Sequence, residues 1–141
     1  MKRYVDYKKC IKHGINGLRA ELSSNTIICG TELTILYDDM NSDEFKYIEN
    51  ESGIKFMNLQ DKVPDFYCIP KVDLFAEYKN GYFGTLNGSI DSPVALEVIY
   101  IDKDLKVYLL EFDSISFIKN LLQHNYIFKK QKTEKIIVVE F

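Results

Sequence analysis

The chain of 141 residues has no tryptophan, only two histidines and only three prolines. It also lacks any apolar run near the roughly 20 residues that a membrane-spanning helix needs, so we expect no transmembrane segment and no membrane partner. The stretch from Met1 to Asp6 is followed by mixed charge rather than by an apolar segment, which predicts no secretory signal. Together these absences favour a cytoplasmic protein.

Cysteine is also scarce. Cys10, Cys29 and Cys68 are widely separated and form no Cys-x-x-Cys pair. An odd number of cysteines without a secretory signal is typical of reduced intracellular thiols, and we expect each to be a small buried apolar side chain. Neither His13 nor His124 has a cysteine or a carboxylate at the spacing of a zinc site. The sequence therefore predicts no metal, no cofactor and no nucleophilic catalytic site.

An excess of positive charge is missing as well. Eighteen lysines and arginines against 21 aspartates and glutamates give a net charge of −3. A nucleic-acid-binding surface is normally basic, so we expect no nucleic-acid partner. The segment from Asn80 to Gly88 holds three glycines but matches no phosphate-binding pattern, and β-hairpin turns account for them. Apolar residues form 46% of the chain, which suits one globular domain over residues 1–141, as a monomer or a weak dimer.

The first third of the chain is predicted to be helical. Apolar residues at helical spacing indicate one helix from about Tyr4 to Ser23, with a short strand or buried loop at Thr26 to Cys29 after it. Thr31 is placed to cap a second helix through Met40. Ser42 is placed to cap a third, which Gly53 would end. The third helix would turn two side chains inward, Phe45 and Ile48.

The second half is predicted to be a four-stranded antiparallel meander, because β-rich apolar runs alternate with turn signals. Asn80-Gly81 lies between the first two runs and favours a type I′ hairpin turn, in which both central residues have positive φ. Apolar residues occur on both faces of these strands, so we expect both sides of the sheet to be partly covered. The four runs are Val72–Tyr78, Tyr82–Leu86, Val94–Ile101 and Leu105–Phe112.

A last helix and two strands are predicted after the meander. Asp113 is placed to cap a helix from about Ser114 to His124, and the tail would form two strands, Tyr126–Phe128 and Ile136–Phe141, around a basic turn. The fold class is therefore α+β: a single domain with an antiparallel β-meander of about four to six strands and helices before and after it.

Carboxylates and tyrosines are the candidate functional residues. Clustered or paired carboxylates serve a hydrolase, bind a divalent metal, or form a negative surface that steers a basic partner, and the sequence leaves these alternatives open beside that of a solvated face. Ten tyrosines are present, and two of them flank the first hairpin turn, where they would face a protein partner. The candidate partner-binding residues are Asp38, Asp39, Glu77, Tyr78, Tyr82 and Asp91. An enzyme would instead bring Asp38, Asp39 and Glu44 together in a cleft.

From Ile69 onward the order of motifs resembles the SUKH superfamily, which includes a fungal regulator of cell-wall glucan synthesis and many proteins of bacterial polymorphic-toxin loci. The matching segments are Ile69–Ala76, which ends in Phe-Ala, the hairpin Asn80–Gly84, the Pro-Val of Ser92–Val94, and the closing helix of Phe112–Ile118. The resemblance covers about Ile69 to Leu122. The Leu-Pro-x-x-Tyr and Asn-Gly-Gly segments of the family are not legible in the first 68 residues.

The resemblance implies an α+β fold and a non-enzymatic bacterial immunity protein that neutralises a cognate toxin, which in this family is frequently a nuclease. An inhibitor of a nuclease would present acids and aromatic rings to a basic active site. The alternative that the resemblance leaves open is a regulatory or scaffold domain of the glucan-synthesis type, which binds a cellular protein.

Overall fold

A computed structural model describes residues 2–4, 31–34, 43–57, 64, 66–70, 72–86, 88, 90 and 93–140. Within these residues the chain forms two helices, α1 (Asp43–Ser52) and α2 (Ser114–Leu122). The strands, in chain order, are β1 (Lys2–Tyr4), β2 (Thr31–Thr34), β3 (Lys55–Phe56), β4 (Phe66–Ile69), β5 (Val72–Tyr78), β6 (Gly81–Leu86), β7 (Glu97–Ile101), β8 (Val107–Asp113), β9 (Lys130–Lys132) and β10 (Ile137–Glu140).

The main sheet has the order β1-β2-β5-β6-β7-β8-β9, and β3 pairs with the second half of β5. Strands β5 to β8 are antiparallel neighbours in sequence order, so the predicted four-stranded meander is confirmed. The α+β class with helices before and after the meander is also confirmed. Strand β2 is the parallel exception, since it runs alongside β5 in the same direction. A separate two-stranded antiparallel sheet is formed by β4 and β10.

The main sheet is covered on both faces, as the apolar residues on both sides of the strands predict. One face packs against the two helices. The fully buried side chains of this first cluster include Phe75 of β5, Phe117 of α2 and Ile48 of α1. The other face packs against Phe66 and Cys68 of the small sheet. Burial of this apolar surface is the main favourable term in the free energy of folding. The buried cluster on the face that contacts Phe66 and Cys68 also contains Met57, Val72, Leu74, Ile99, Ile101, Val107 and Ile136.

The first hairpin turns one residue earlier than the sequence predicts. Its two central residues are Lys79 and Asn80, with φ values of 48° and 63°, and Tyr78 pairs with Gly81 across the strands. Positive φ at both positions is the requirement of a type I′ turn, which Asn80 fulfils at low cost and Lys79 at some cost. Gly81 belongs to the strand, where a side chain would collide with the carbonyl oxygen of Ile101.

One end of each helix lies where its flanking residue predicts, and α2 ends at Leu122, two residues before the predicted His124. The side chain of Asp113 accepts a hydrogen bond of 2.8 Å from the backbone N–H of Ser116, which confirms it as the N-cap of α2. Gly53 has a φ of 79° just after α1, and its N–H donates to the carbonyl of Glu49 at 2.8 Å. This left-handed glycine ends the helix as expected. Neither helix, within the described ranges, is long and apolar enough to cross a membrane.

Several boundaries in the sequence prediction are wrong. Thr31–Thr34 is a strand rather than the start of a helix, because it pairs in parallel with β5. Residues 126–128 form no strand. The basic segment Lys130–Lys132 is instead the strand, and it pairs with β8. Strand β7 starts at Glu97, which leaves Val94 exposed. The remainder of the helix predicted after Tyr4, and the strand predicted at residues 26–29, lie outside the described residues.

Candidate functional site

A groove of about 600 Å³ opens at the turn end of the first hairpin. The end of α1 and strand β3 form one side, where Glu49 and Lys55 line it. The hairpin of β5 and β6 forms the other side and supplies Glu77, Tyr78 and Tyr82. The structure therefore brings three of the six sequence-predicted partner-binding residues into one concave surface. We call this surface the hairpin groove.

The hairpin groove has a balanced charge rather than the acidic one that the sequence suggests. Its carboxylates come from Glu49 and Glu77, and its ammonium groups come from Lys55 and Lys79. Lys55 lies directly opposite Glu77 in the antiparallel pairing of β3 with β5. Opposite charges at directly paired positions stabilise a sheet modestly and also fix the pattern that a partner would have to complement.

The three predicted residues lie on two faces of the hairpin, because side chains alternate along a strand. Glu77 and Tyr82 are direct cross-strand partners, and the ring of Tyr82 packs edge-on against Phe66 with centroids 5.7 Å apart. Tyr78 lies on the opposite face, where its ring stacks on Phe83 at 5.5 Å. Each of the three side chains is half-buried, and all three residues line the groove at the turn end, where the two faces of the hairpin meet.

The backbone at the end of β5 is held by a side chain of β7, which is separated from β5 by strand β6. The hydroxyl of Tyr100 donates a hydrogen bond of 2.7 Å to the carbonyl oxygen of Tyr78. Burial raises the pKa of Tyr100 above 10.0, and the negative charge of Asp102 raises the pKa further. The Tyr100 hydroxyl therefore stays protonated as a donor at neutral pH. Next to it, the ammonium of Lys79 lies 5.1 Å from the centroid of the Tyr78 ring.

Asp102 orders the adjoining turn between β7 and β8. One of its carboxylate oxygens, Oδ1, accepts hydrogen bonds of 2.9 Å from the backbone N–H groups of Asp104 and Lys106. The other, Oδ2, is 3.3 Å from the hydroxyl of Tyr108. Burial acts to raise the pKa of Asp102, but these hydrogen bonds to the carboxylate outweigh it and lower the pKa below 3.8. Asp102 therefore has a structural role in the turn.

The structure does not describe the side chains of the other sequence-predicted residues. Asp38, Asp39 and Asp91 lie outside the described residues, as does the side chain of Glu44, so the proposed acidic cleft stays a prediction. Across the described ranges, no three histidine, cysteine, aspartate or glutamate side chains are placed to hold a metal ion.

Sequence reasoning missed Glu49 and Lys55 as members of the hairpin groove. They are remote in sequence from the hairpin, and only the packing of α1 and the pairing of β3 with β5 bring them there. No local pattern signals such convergence. Lys79 was also missed, although a turn position next to Asn80 is a reasonable place to seek an exposed charge. Comparisons with protein-family models, with curated proteins and with solved structures found no match to this chain.

Proposed function

We propose that this chain is a non-enzymatic protein-binding module, and that it neutralises a cognate bacterial toxin through the hairpin groove. The observation that carries the proposal is the convergence of Glu77, Tyr78 and Tyr82 with Glu49 in one groove. The choice of a toxin as the partner rests on the resemblance to the SUKH superfamily, which is a prediction from the sequence.

The chemistry of the groove suits a protein partner. Tyr78 and Tyr82 offer large contact areas at a low cost in side-chain entropy, because packing against Phe83 and Phe66 already restricts their rings. Residues of this type are enriched among those that dominate binding energy in protein interfaces. A partial pre-ordering of the contact residues favours a tight complex.

The charges of the groove supply specificity. Glu49 is exposed and would contact a lysine or arginine of the toxin, while Lys79, also exposed, would contact an acid. Mismatched charges at such positions disfavour other partners, and complementary ones accelerate association. A toxin nuclease, with a basic active site, would place its cations near Glu49 and Glu77.

Co-expression with the toxin tests the proposal. The candidate toxin to test is the product of the gene adjacent to the one encoding this chain, expressed from an inducible promoter in a bacterial host. We expect the wild-type chain to restore growth and Glu49→Lys and Lys79→Glu to lose most of the protection. Both positions are exposed, so these variants are expected to fold, which circular dichroism of the purified proteins checks.

Matched charge reversals provide the controls. Glu97→Lys changes an exposed glutamate at the opposite end of the sheet, and Lys119→Glu changes an exposed lysine on α2. Both control variants should protect like the wild type. A wild-type chain that gives no protection would overturn the proposal, and binding to a cellular protein in that case would favour the regulatory alternative. Equal loss of protection by the controls would rule out the hairpin groove as the contact surface.

A further inference from the structure

A second cavity, of about 310 Å³, lies beside the hairpin groove on the other side of Tyr78. Five aromatic rings line it together with Leu110, and its only charged lining residues, among those that the structure describes, are Lys79 and Lys130. Its volume is at the lower end of the range for pockets that bind small molecules. We call it the aromatic cavity. The five rings belong to Tyr78, Phe83, Tyr100, Tyr126 and Phe128.

The wall of the aromatic cavity is fixed by packing. Phe83 and Tyr100 are only 1% and 4% exposed, and their ring centroids are 5.1 Å apart. Phe128 packs on Phe83 at 5.4 Å and on Tyr78 at 6.2 Å. These are normal distances for aromatic pairs. Phe83 and Tyr100 therefore form the buried floor of the cavity. A flat ligand would contact the half-buried rings of Tyr78, Tyr126 and Phe128. Because packing already holds Tyr78 and Phe128, the entropic cost of binding is lowered.

The charges of the aromatic cavity are of one sign, although the whole chain is acidic. The ammonium of Lys130 lies 4.7 Å from the centroid of Tyr100 and 4.8 Å from that of Tyr108, which holds it at the rim. Lys79 is held over Tyr78. Asp102 lies near Tyr108, but its carboxylate accepts hydrogen bonds within its own turn. The cavity therefore combines an aromatic lining with two cations.

We propose that the aromatic cavity binds a small planar aromatic anion, such as a bicyclic ring that carries one carboxylate. The ring would pack on the aromatic wall, and the carboxylate would face Lys130 and Lys79 at the rim. A cation of the same shape is disfavoured by both ammonium groups, and a neutral ring lacks the ionic contact. This ligand site does not depend on the function proposed for the hairpin groove.

Three indole probes that differ in charge test the proposal. They are indole-3-acetate, indole and tryptamine, and their fluorescence is measured against increasing amounts of the full chain. The chain has no tryptophan, so indole emission reports on the probe alone. We expect saturable binding of indole-3-acetate, weaker binding of indole and none of tryptamine. Equal binding of the three probes, or no binding of indole-3-acetate, would overturn the proposal.

Variants of the rim lysine locate the site. Lys130→Gln should weaken indole-3-acetate binding about fivefold, as expected for the loss of one exposed ionic contact, and Lys130→Arg should restore it. Lys132→Gln is the matched control, because Lys132 lies on the same strand but is not part of the cavity lining. An equal effect of Lys130→Gln and Lys132→Gln would show that net charge, and not the cavity, determines binding. The result is independent of toxin protection, which this experiment does not involve.

Discussion

The hydroxyl of Tyr100 donates a hydrogen bond to the carbonyl oxygen of Tyr78, 22 residues earlier in the chain, at 2.7 Å. The contact joins β7 to the last residue of β5 across the intervening strand β6. Tyr78 also lines both the hairpin groove and the aromatic cavity, as does Lys79 next to it. One buried hydroxyl therefore supports the backbone on which both proposed binding surfaces depend.

Tyr100→Phe should reduce the free energy of unfolding by about 1 kcal/mol, the usual net value of a hydrogen bond, because the Tyr78 carbonyl loses its donor. Urea denaturation followed by circular dichroism measures the change. Tyr108→Phe is the control, since its hydroxyl makes only a 3.3 Å contact to Asp102, and it should have a smaller effect. If Tyr108→Phe is the more destabilising variant, the Tyr100 contact is not the main support of the hairpin.

Gly81→Ala should destabilise the chain by about 2 kcal/mol, in the range for overpacking a well-filled site. The added methyl group would collide with the Ile101 carbonyl oxygen and lie 2.6 Å from the Tyr100 hydroxyl. Gly53→Ala is a comparison that separates sterics from backbone strain, because Gly53 has open space around it but a φ of 79°. It should cost about 1 kcal/mol. Thermal unfolding of both variants measures the two losses of stability. A larger loss for Gly53→Ala than for Gly81→Ala would contradict the prediction.

Asp113→Ala should lower the free energy of unfolding by about 1 kcal/mol, because the first turn of α2 loses its capping acceptor. Asp113→Asn keeps an oxygen that accepts from the Ser116 N–H and should retain most of the stability. Chemical denaturation of both variants gives the comparison. An equal loss for alanine and asparagine would mean that the negative charge at the helix N-terminus, and not the capping oxygen, stabilises α2.

The Asp102 carboxylate should make stability dependent on pH in the acid range. Its folded-state pKa is below the ordinary 3.8, so its contribution is fully present above about pH 3.8 and is lost as the pH falls through the folded-state pKa. The difference in unfolding free energy between wild type and Asp102→Asn should therefore shrink as the pH is lowered from 7 to 2. A difference that does not change with pH would contradict the assigned hydrogen bonds.

The sequence predicted the meander and α2 well, because their signals are local. Alternating apolar residues, an Asn-Gly step and a capping aspartate act over a few residues. The turn was displaced by one residue because a close approach to the Ile101 carbonyl, which the sequence does not reveal, requires a glycine within β6. The strand partners of Thr31–Thr34 and Ile137–Glu140 were missed, since pairing with β5 and β4 is decided by distant residues.

The candidate site was predicted only in part for the same reason. Glu77, Tyr78 and Tyr82 could be chosen because they flank a recognisable turn. Glu49 and Lys55 could not, since a helix end and a two-residue strand reach the hairpin groove only through tertiary packing. The aromatic cavity was not foreseen at all, because its rings come from four separate segments of the chain.

The affinity of the purified chain for the product of the adjacent gene, which we propose as its toxin partner, is measured by titration calorimetry and tests the central claim most directly. Glu49→Lys should weaken binding by at least about tenfold, because a charge that complements the partner becomes repulsive within the hairpin groove. Glu97→Lys, with the same change of charge at the far end of the sheet, should bind like the wild type. Equal dissociation constants for the wild type and Glu49→Lys would contradict the account.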